Sequence, residues 1–457
     1  GHGAVPLHMG DGERARIVAR SGDIGASNGK RLEITLSKQA LIEAGRDIIN
    51  LSYSGQHVDG GDHSVVHAGR DVLFSTLRNP LGVLQINQAR YEFSGPGQFD
   101  VLAGRDVDLG SSDGILSSGR LRNPALAAGA GSLTVMAGLA SAPDYAAFVQ
   151  RYLRKGHAYE RALAQFVASH GGSGKGAVLA QFEALSVDDQ QQFVHQAFFN
   201  EIKQAGLTAS KSGDTAGDYS RGFAAIDTLF KARGGRGDII SLLSRIQTLD
   251  GGDINLLAPY GAVNAGAAAL TGLAKTPDQL GIVVQRSGDL NAFTAGDFLV
   301  NSSRVFALDG GSILMWSSRG NIDAGRGAKS ALSIPPPVVS FDALGNVITE
   351  FPPAVAGSGI QAAVSTAGRA PGNVFLFAPG GIVDAGDAGI ASAGNLTIAA
   401  TAVLGADNIS VGGVATGVPT ATVSVPVGLA GASAAAGSAS NAAANAAADS
   451  FNDKDQS

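Results

Sequence analysis

The stretch PGNVFLFAPGGIVDAG, Pro371–Gly386, decides how this chain is read. It has two ungapped sister copies, GGDINLLAPYGAVNAG at Gly251–Gly266 and GGSILMWSSRGNIDAG at Gly310–Gly325. Each copy runs from glycine to a short polar residue (Asp253, Ser312, Asn373), then through an apolar run to a turn. Two more apolar or small residues follow, and each copy closes on Asp or Asn, Ala and Gly. That order reads as strand, turn, strand, turn. A repeated strand–turn unit cannot bury its own apolar face, so it has to stack on its neighbours.

Working outward, the same glycine-then-Asp/Asn junction recurs along the chain. Asp23-Ile24, Asp47-Ile48, Asp71-Val72 and Asp106-Val107 carry it in the first part, three of them within Ala-Gly-Arg-Asp. Asp238-Ile239, Asp289-Leu290, Asp297-Phe298, Asn321-Ile322, Asn395-Leu396 and Asn408-Ile409 continue it. Glycine accepts a positive φ, and an Asp or Asn side chain can bond back to the backbone. The next residue then begins a strand with its apolar side chain inward. Strands of this kind, stacked through some three hundred residues, predict an all-β, right-handed parallel β-helix with rungs of about 20 residues and loops inserted between them. The residues after each Asp or Asn should stack into an aliphatic ladder.

Between residues 142 and 236 the texture changes. Eight of the 19 Phe and four of the seven Tyr lie there, and apolar residues fall four apart, as in Val194, Phe198 and Ile202. Ser186-Val187-Asp188-Asp189 reads as a helix start. The predicted organisation is therefore a first β-helix part over 1–141, an α-helical insertion over 142–236 and a second β-helix part over 237–428. The insertion has no room inside a solenoid, so it should sit outside as a module whose removal leaves the β-helix folded. Prolines flank VVSFDALGNVIT, which predicts a projecting β-hairpin over 334–359. Residues 429–457 are alanine-rich, of low complexity and expected to be disordered.

Composition narrows the function. Gly makes up 64 of 457 residues, about twice the usual ~7%, with no three-residue period. A net charge of −6 without any basic block argues against nucleic acid as a partner. There is no cysteine, so disulfides and thiolate-held metals are excluded. No run of residues is long and apolar enough for stable membrane insertion. The opening Gly1-His2 reads as a cloning remnant on an internal or C-terminal piece of a longer chain.

Local motifs carry little chemistry. Arg236-Gly237-Asp238 is the tripeptide some adhesins present to receptors, and it stands as the possible receptor-binding site. Asp238-Ile239 is already a turn–strand junction, however, so turn geometry alone accounts for it. His57, Asp59, Asp62, His63 and His67 form the densest His/Asp cluster. They lack the spacing of a metal site and read as a solvated loop, so neither metal nor other cofactor is expected. No nucleophile elbow, zinc-protease motif or phosphate loop occurs. Asp323, Asp384 and Asn264 occupy one repeat position, and a site that alternates Asp with Asn does turn work, not acid–base work.

Several unlike motifs occur in one order: the closing DAG copies, WSSRGNIDAGRGAK (Trp316–Lys329), YSRGFAAIDTLF (Tyr219–Phe230) and GNLTIAATAVLGADNISVGG (Gly394–Gly413). Together they resemble the C-terminal region of filamentous-haemagglutinin-like two-partner-secretion exoproteins of Gram-negative bacteria, over residues 44–413. The resemblance implies a long β-helix exported through an outer-membrane pore partner, secreted or held at the cell surface, monomeric and non-catalytic. It implies a stalk or interaction surface for adhesion, biofilm or cell-surface signalling, with a host or bacterial receptor or glycan as partner. The alternatives are a polysaccharide-active β-helix enzyme, or a delivery or signalling segment of a contact-dependent system.

Overall fold

The computed structural model describes residues 5–26, 30–121, 123–129, 131–140, 142–154, 156, 158–231, 235–267, 275–327, 332–333, 338–341, 347–350 and 355–419. Its strands stack in parallel as a β-helix, three strands to a rung. The first and second strands of the rungs make a 19-stranded sheet, and the third strands make a 10-stranded one. One rung runs Ala40–Ala44, Ile48–Ile49, Leu51–Gln56, and the next starts at His63–Ala68. Residues 1–418 form one compact unit, and the alanine-rich tail and residues 420–428 lie outside the described residues.

Inside the solenoid, every second residue of the first strands between the two end rungs is buried and faces its counterpart one rung away. Ile254 faces Leu290, Leu290 faces Ile313, Ile313 faces Val374, and Val374 faces Leu396. The second strands add the aliphatic ladder expected after each Asp or Asn, with Ile24 facing Ile48, Ile48 facing Val72 and Val107 facing Ile239. Like side chains stacked at strand spacing support one another along these columns, which is why a two-residue strand suffices as a structural unit.

The corners explain the repeat's polar residues. Oδ1 of Asp253 accepts the N–H of Asp289 (2.7 Å), Oδ1 of Asp289 that of Ser312 (2.8 Å), and Oγ of Ser312 that of Asn373 (3.2 Å). Asn373 Oδ1 continues with the N–H of Asn395 (2.8 Å). Asp, Asn and Ser interchange because each needs only one short-armed acceptor. At the other end of the copy, Oδ1 of Asp323 and of Asp384 accept the N–H of Gly325 and Gly386, closing their own turns. In the Ala-Gly-Arg-Asp strings the arginine reaches back one rung: Arg46 holds Asp23, Arg70 holds Asp47, and Arg105 holds Asp71, each through Nε and Nη2. Paired nitrogens on paired oxygens make this a rung-to-rung clamp. Arg70 keeps the Asp47 carboxyl below its ordinary range.

Two hairpins interrupt the rungs. Leu77–Arg78 pairs antiparallel with Leu84–Gln85, a hairpin with Leu81 exposed at its tip, and it accounts for the longer interval between Asp71 and Asp106. The proline-flanked stretch pairs Val338–Phe341 with Val347–Glu350, and Leu332–Ser333 with Val355–Ala356. Its turn, 342–346, and its prolines at 335–337 and 352–353 lie outside the described residues.

Five helices stand between the first strand of one rung, Gly131–Met136, and its second strand, Ile239–Ile240. They are α1 (Tyr145–Tyr152), α2 (Glu160–Ser169), α3 (Val178–Glu183), α4 (Val187–Ala209) and α5 (Ser220–Leu229). Ser186 caps α4, its Oγ accepting the N–H of Asp189 at 3.1 Å. Glu201 on α4 takes both Nε and Nη2 of Arg221 on α5 (2.7 and 2.8 Å) and also the hydroxyl of Tyr159.

These helices do lie outside the solenoid, but they are not a separate module. Their apolar faces share a core with the outward side chains of the 19-stranded sheet, among them Met136, Leu257, Phe293, Trp316 and Phe377. These residues form one column, each facing the next across a rung. Phe198 meets Phe293 at 5.1 Å between ring centres, and Tyr219 and Phe223 stand edge-on to Trp316 at 5.7 and 5.8 Å. A Cβ on Gly206 would fall 2.2 Å from the ring of Phe377, and one on Gly222 2.5 Å from Trp316, so the helices seat closely only because both residues are glycine. In the repeat, NLL, LMW and FLF put large residues on both faces of the strand. Both faces are buried there.

Candidate functional site

The insertion splits a corner. Ala137-Gly138 opens it, and Arg236-Gly237-Asp238 closes it after the five helices. Gly138 donates its N–H to Arg105 O, as a normal corner would, and Asp238 donates its N–H to Asp106 Oδ1 (2.8 Å). Asp238 Oδ1 in turn accepts the N–H of Ala262 (2.7 Å). A Cβ on Gly237 would lie 2.3 Å from Gly138 N, so glycine is required where the chain returns. Arg236 is exposed, Gly237 buried and Asp238 half-buried. The tripeptide therefore sits in the ladder of corners and does not project as a loop.

The His/Asp cluster is not a solvated loop, which corrects the expectation from sequence. His57 is fully buried, with Nδ1 2.8 Å from Pro96 O and Nε2 2.7 Å from Ser64 Oγ. Burial pushes its imidazole down, so it is neutral at physiological pH. Oδ2 of Asp62 closes the turn by accepting the N–H of Val58 and of Asp59. His67 points out beside Glu43, at 3.6 Å. The stretch is polar in composition, yet His63–Ala68 is an interior strand whose outer face meets α4. Neighbours on both sides bury it. Among the described residues no group of three His, Cys, Asp or Glu is arranged to hold a metal ion.

His63 begins the feature that sequence reasoning missed. Its Nε2 lies 2.9 Å from Asp100 Oδ2, and its Nδ1 lies 3.7 Å from Asp188 Oδ2 in the first turn of α4. Asp188 also takes Arg14 Nη1 at 2.5 Å. Strand, helix and N-terminal segment thus meet in one chain of charges, with Asp188 further favoured by the amino end of α4. Burial works to discharge His63, but the Asp100 and Asp188 carboxylates outweigh it and hold its pKa up. Burial likewise opposes the Asp100 charge, and His63 with Gln98 outweighs it and holds the carboxyl down.

Beside this latch a cleft of about 240 Å³ opens between α4 and the outer face of the 19-stranded sheet. Its floor is an outward column in which Asp100 faces Thr134, Thr134 faces Asn255, and Asn255 faces Asn291. Gln98 donates to Asp100 Oδ1 and Thr134 Oγ1 (2.7 and 2.9 Å), and Asn291 donates to Asn255 Oδ1 (3.1 Å). Asn255 Nδ2 and Asn291 Oδ1 have no hydrogen-bond partner among the described residues. The helical wall carries Gln192, His195 and Gln196, and Phe166 of α2 stands at the edge. Burial lowers the His195 pKa to about 4, and Tyr145 Oη shares a 3.0 Å hydrogen bond with its Nε2. Gln192 and Gln196 are exposed and make no side-chain hydrogen bond among the described residues. One sequence signal was available: the outward position that is Asn255 in the first copy is Leu314 in the second and Phe375 in the third. The column changes from polar to apolar along the solenoid.

Comparison with known proteins agrees with the resemblance read from the motifs. Residues 310–420 match the family model described as filamentous haemagglutinin family outer membrane protein. The matched segment contains two of the three repeat copies and the closing rungs. No curated protein and no solved structure matches the chain. Among the described residues no helix is long and apolar enough to cross a membrane.

Proposed function

We propose that this chain is the β-helical part of a large secreted exoprotein that works at the bacterial surface as a stalk and an interaction surface, without catalysis. The observation that carries the reading is the pairing of a repetitive scaffold with one irregular element. Corners and interior are consumed by rung stacking, whereas the helices fixed to one face supply the only large break in the repeat among the described residues. Adhesion, biofilm formation and cell-surface signalling are all uses of such a surface, with a host or bacterial receptor or glycan as the partner. Export through an outer-membrane pore of the two-partner type completes the proposal, and the match over 310–420 supports it. Among the described residues, the two ionisable groups in the cleft lining are already engaged, His195 with the Tyr145 hydroxyl and Asp253 with the N–H of Asp289, which suits binding better than acid–base turnover.

The purified full chain, labelled and presented to bacterial and epithelial surfaces, should bind saturably and without consuming polysaccharide. Depolymerisation of a uronate or sialylated polymer under the same conditions would replace this reading with an enzymatic one.

A further inference from the structure

We infer that the cleft between α4 and the asparagine column receives a single neutral sugar residue, as the terminus of a glycan. The inference deepens the reading of the chain as an interaction surface and rests on it.

The lining decides the ligand class. Asn255, Asn291, Gln192 and Gln196 present amides, each with both donor and acceptor atoms. That is the complement of neighbouring hydroxyls, which also donate and accept. Among the described residues no lysine or arginine lines the cleft, so a phosphate, sulfate or carboxylate ligand finds no counter-charge. His195 cannot supply one at neutral pH, because burial holds it uncharged. Cationic ligands fare little better: among the described residues Asp253 is the single acid in the lining, and its Oδ1 is already used by the N–H of Asp289. Phe166 is half-buried against Phe193 and Phe182 and offers one apolar edge, enough for the C–H face of a pyranose but too little for a lipid. Size sets the stoichiometry. About 240 Å³ lies below the roughly 300–1,000 Å³ typical of pockets for drug-sized molecules, which limits the ligand to one ring.

The asparagines also have a purely structural use, since Asn291 donates to Asn255 along the rungs. That bond occupies one donor and one acceptor. It leaves the Asn255 donor and the Asn291 acceptor open to a ligand hydroxyl.

The test uses the full chain and a panel of methyl glycosides of neutral hexoses and N-acetylhexosamines, read by saturation-transfer NMR and calorimetry, with the matching uronic acids as controls. At least one neutral glycoside should bind at millimolar concentration, and its uronic acid should bind at least tenfold more weakly. Asn255→Leu copies the residue found at the sister position, Leu314, so it should fold, and it should weaken binding at least tenfold. Gln192→Ala, on the exposed face of α4, should weaken binding several-fold with an unchanged melting temperature. Binding that survives both substitutions, equal binding of the uronic acids, or no binding by any neutral glycoside would overturn the inference. Surface binding by the full chain that persists in Asn255→Leu would reject the cleft and leave the proposed function standing. Sugar binding without any surface binding would do the reverse.

Discussion

The molecule has two cores, and they are built on opposite principles. Inside the solenoid, long runs of rungs stack one aliphatic residue on another, as Ile254, Leu290, Ile313, Val374 and Leu396 do, while Tyr53, Tyr91, Phe93 and Phe99 fill the early rungs. Outside, beneath the helices, Phe293, Trp316 and Phe377 meet Phe198, Phe223 and Gly206 in contacts that occur once each. The inner core should tolerate exchange among aliphatic residues, because neighbours have two sides on which to adjust. The outer core is a single fitted surface, and small changes there should be felt by both helices and sheet.

The strongest test of that contrast is removal of the helices. Joining Gly138 to Gly237 restores a plausible corner, but it bares Leu257, Phe293, Trp316 and Phe377 together. The shortened chain is expected to aggregate or to bind a hydrophobic dye strongly; a soluble, monomeric, cooperatively melting product would show the helices to be dispensable. Next in size, Trp316→Ala should cost about 3–5 kcal/mol, read as a fall in denaturant midpoint. Val305→Ala, a much smaller deletion inside the solenoid, should cost less.

Acidity should separate the buried histidines from one another. His195 and His57 are kept neutral by burial, so their contribution is complete above pH ~6.5 and is lost as pH falls towards about 4, at up to about 3 kcal/mol for each. His63 acts in the opposite sense. Its raised pKa makes its contribution full below pH ~6.5 and lost as pH rises through the folded value. His63→Gln should therefore remove a stability gain seen on mild acidification, while His195→Gln should flatten the loss at lower pH. Melting temperatures measured between pH 4 and 9 would distinguish the two; identical profiles for both variants and the parent would contradict the assignment.

Smaller effects complete the series. Gly222→Ala places a methyl group against Trp316 and should cost about 1–3 kcal/mol. Asp289→Ala removes one corner acceptor from the N–H of Ser312 at an exposed site and should cost about 1 kcal/mol or less. Chemical denaturation that ranks these two in reverse would mean that the corners, not the fitted outer face, dominate local stability.

The parallel β-helix was legible because its signals are local. A corner Asp, the inward residue after it and the glycine before it all lie within a few residues, and the rungs repeat them. The position of the helices was half legible: exclusion from the interior follows from size, but docking depends on Trp316 and Phe377 meeting residues more than ninety positions away. The cue was present in the repeat itself, where INLL, ILMW and VFLF lack the polar alternation of a strand with one wet face. The cleft was less legible still. It forms where outward Asn255 and Asn291 come under Gln192 and Gln196, and nothing in the spacing of either pair points to the other. The buried histidines were misread because HVDGGDHSVVH is polar by composition, and composition does not reveal that α4 lies across the strand.

Native-state hydrogen exchange on the full chain tests the shared outer core most directly. If helices and sheet are one cooperative unit, the slowest amides of α4 and α5 should exchange with the same opening free energy as those of Leu290–Thr294 and Ile313–Ser317. Helices that open at a clearly lower free energy, with the strands still protected, would show a module resting on the solenoid and contradict the account.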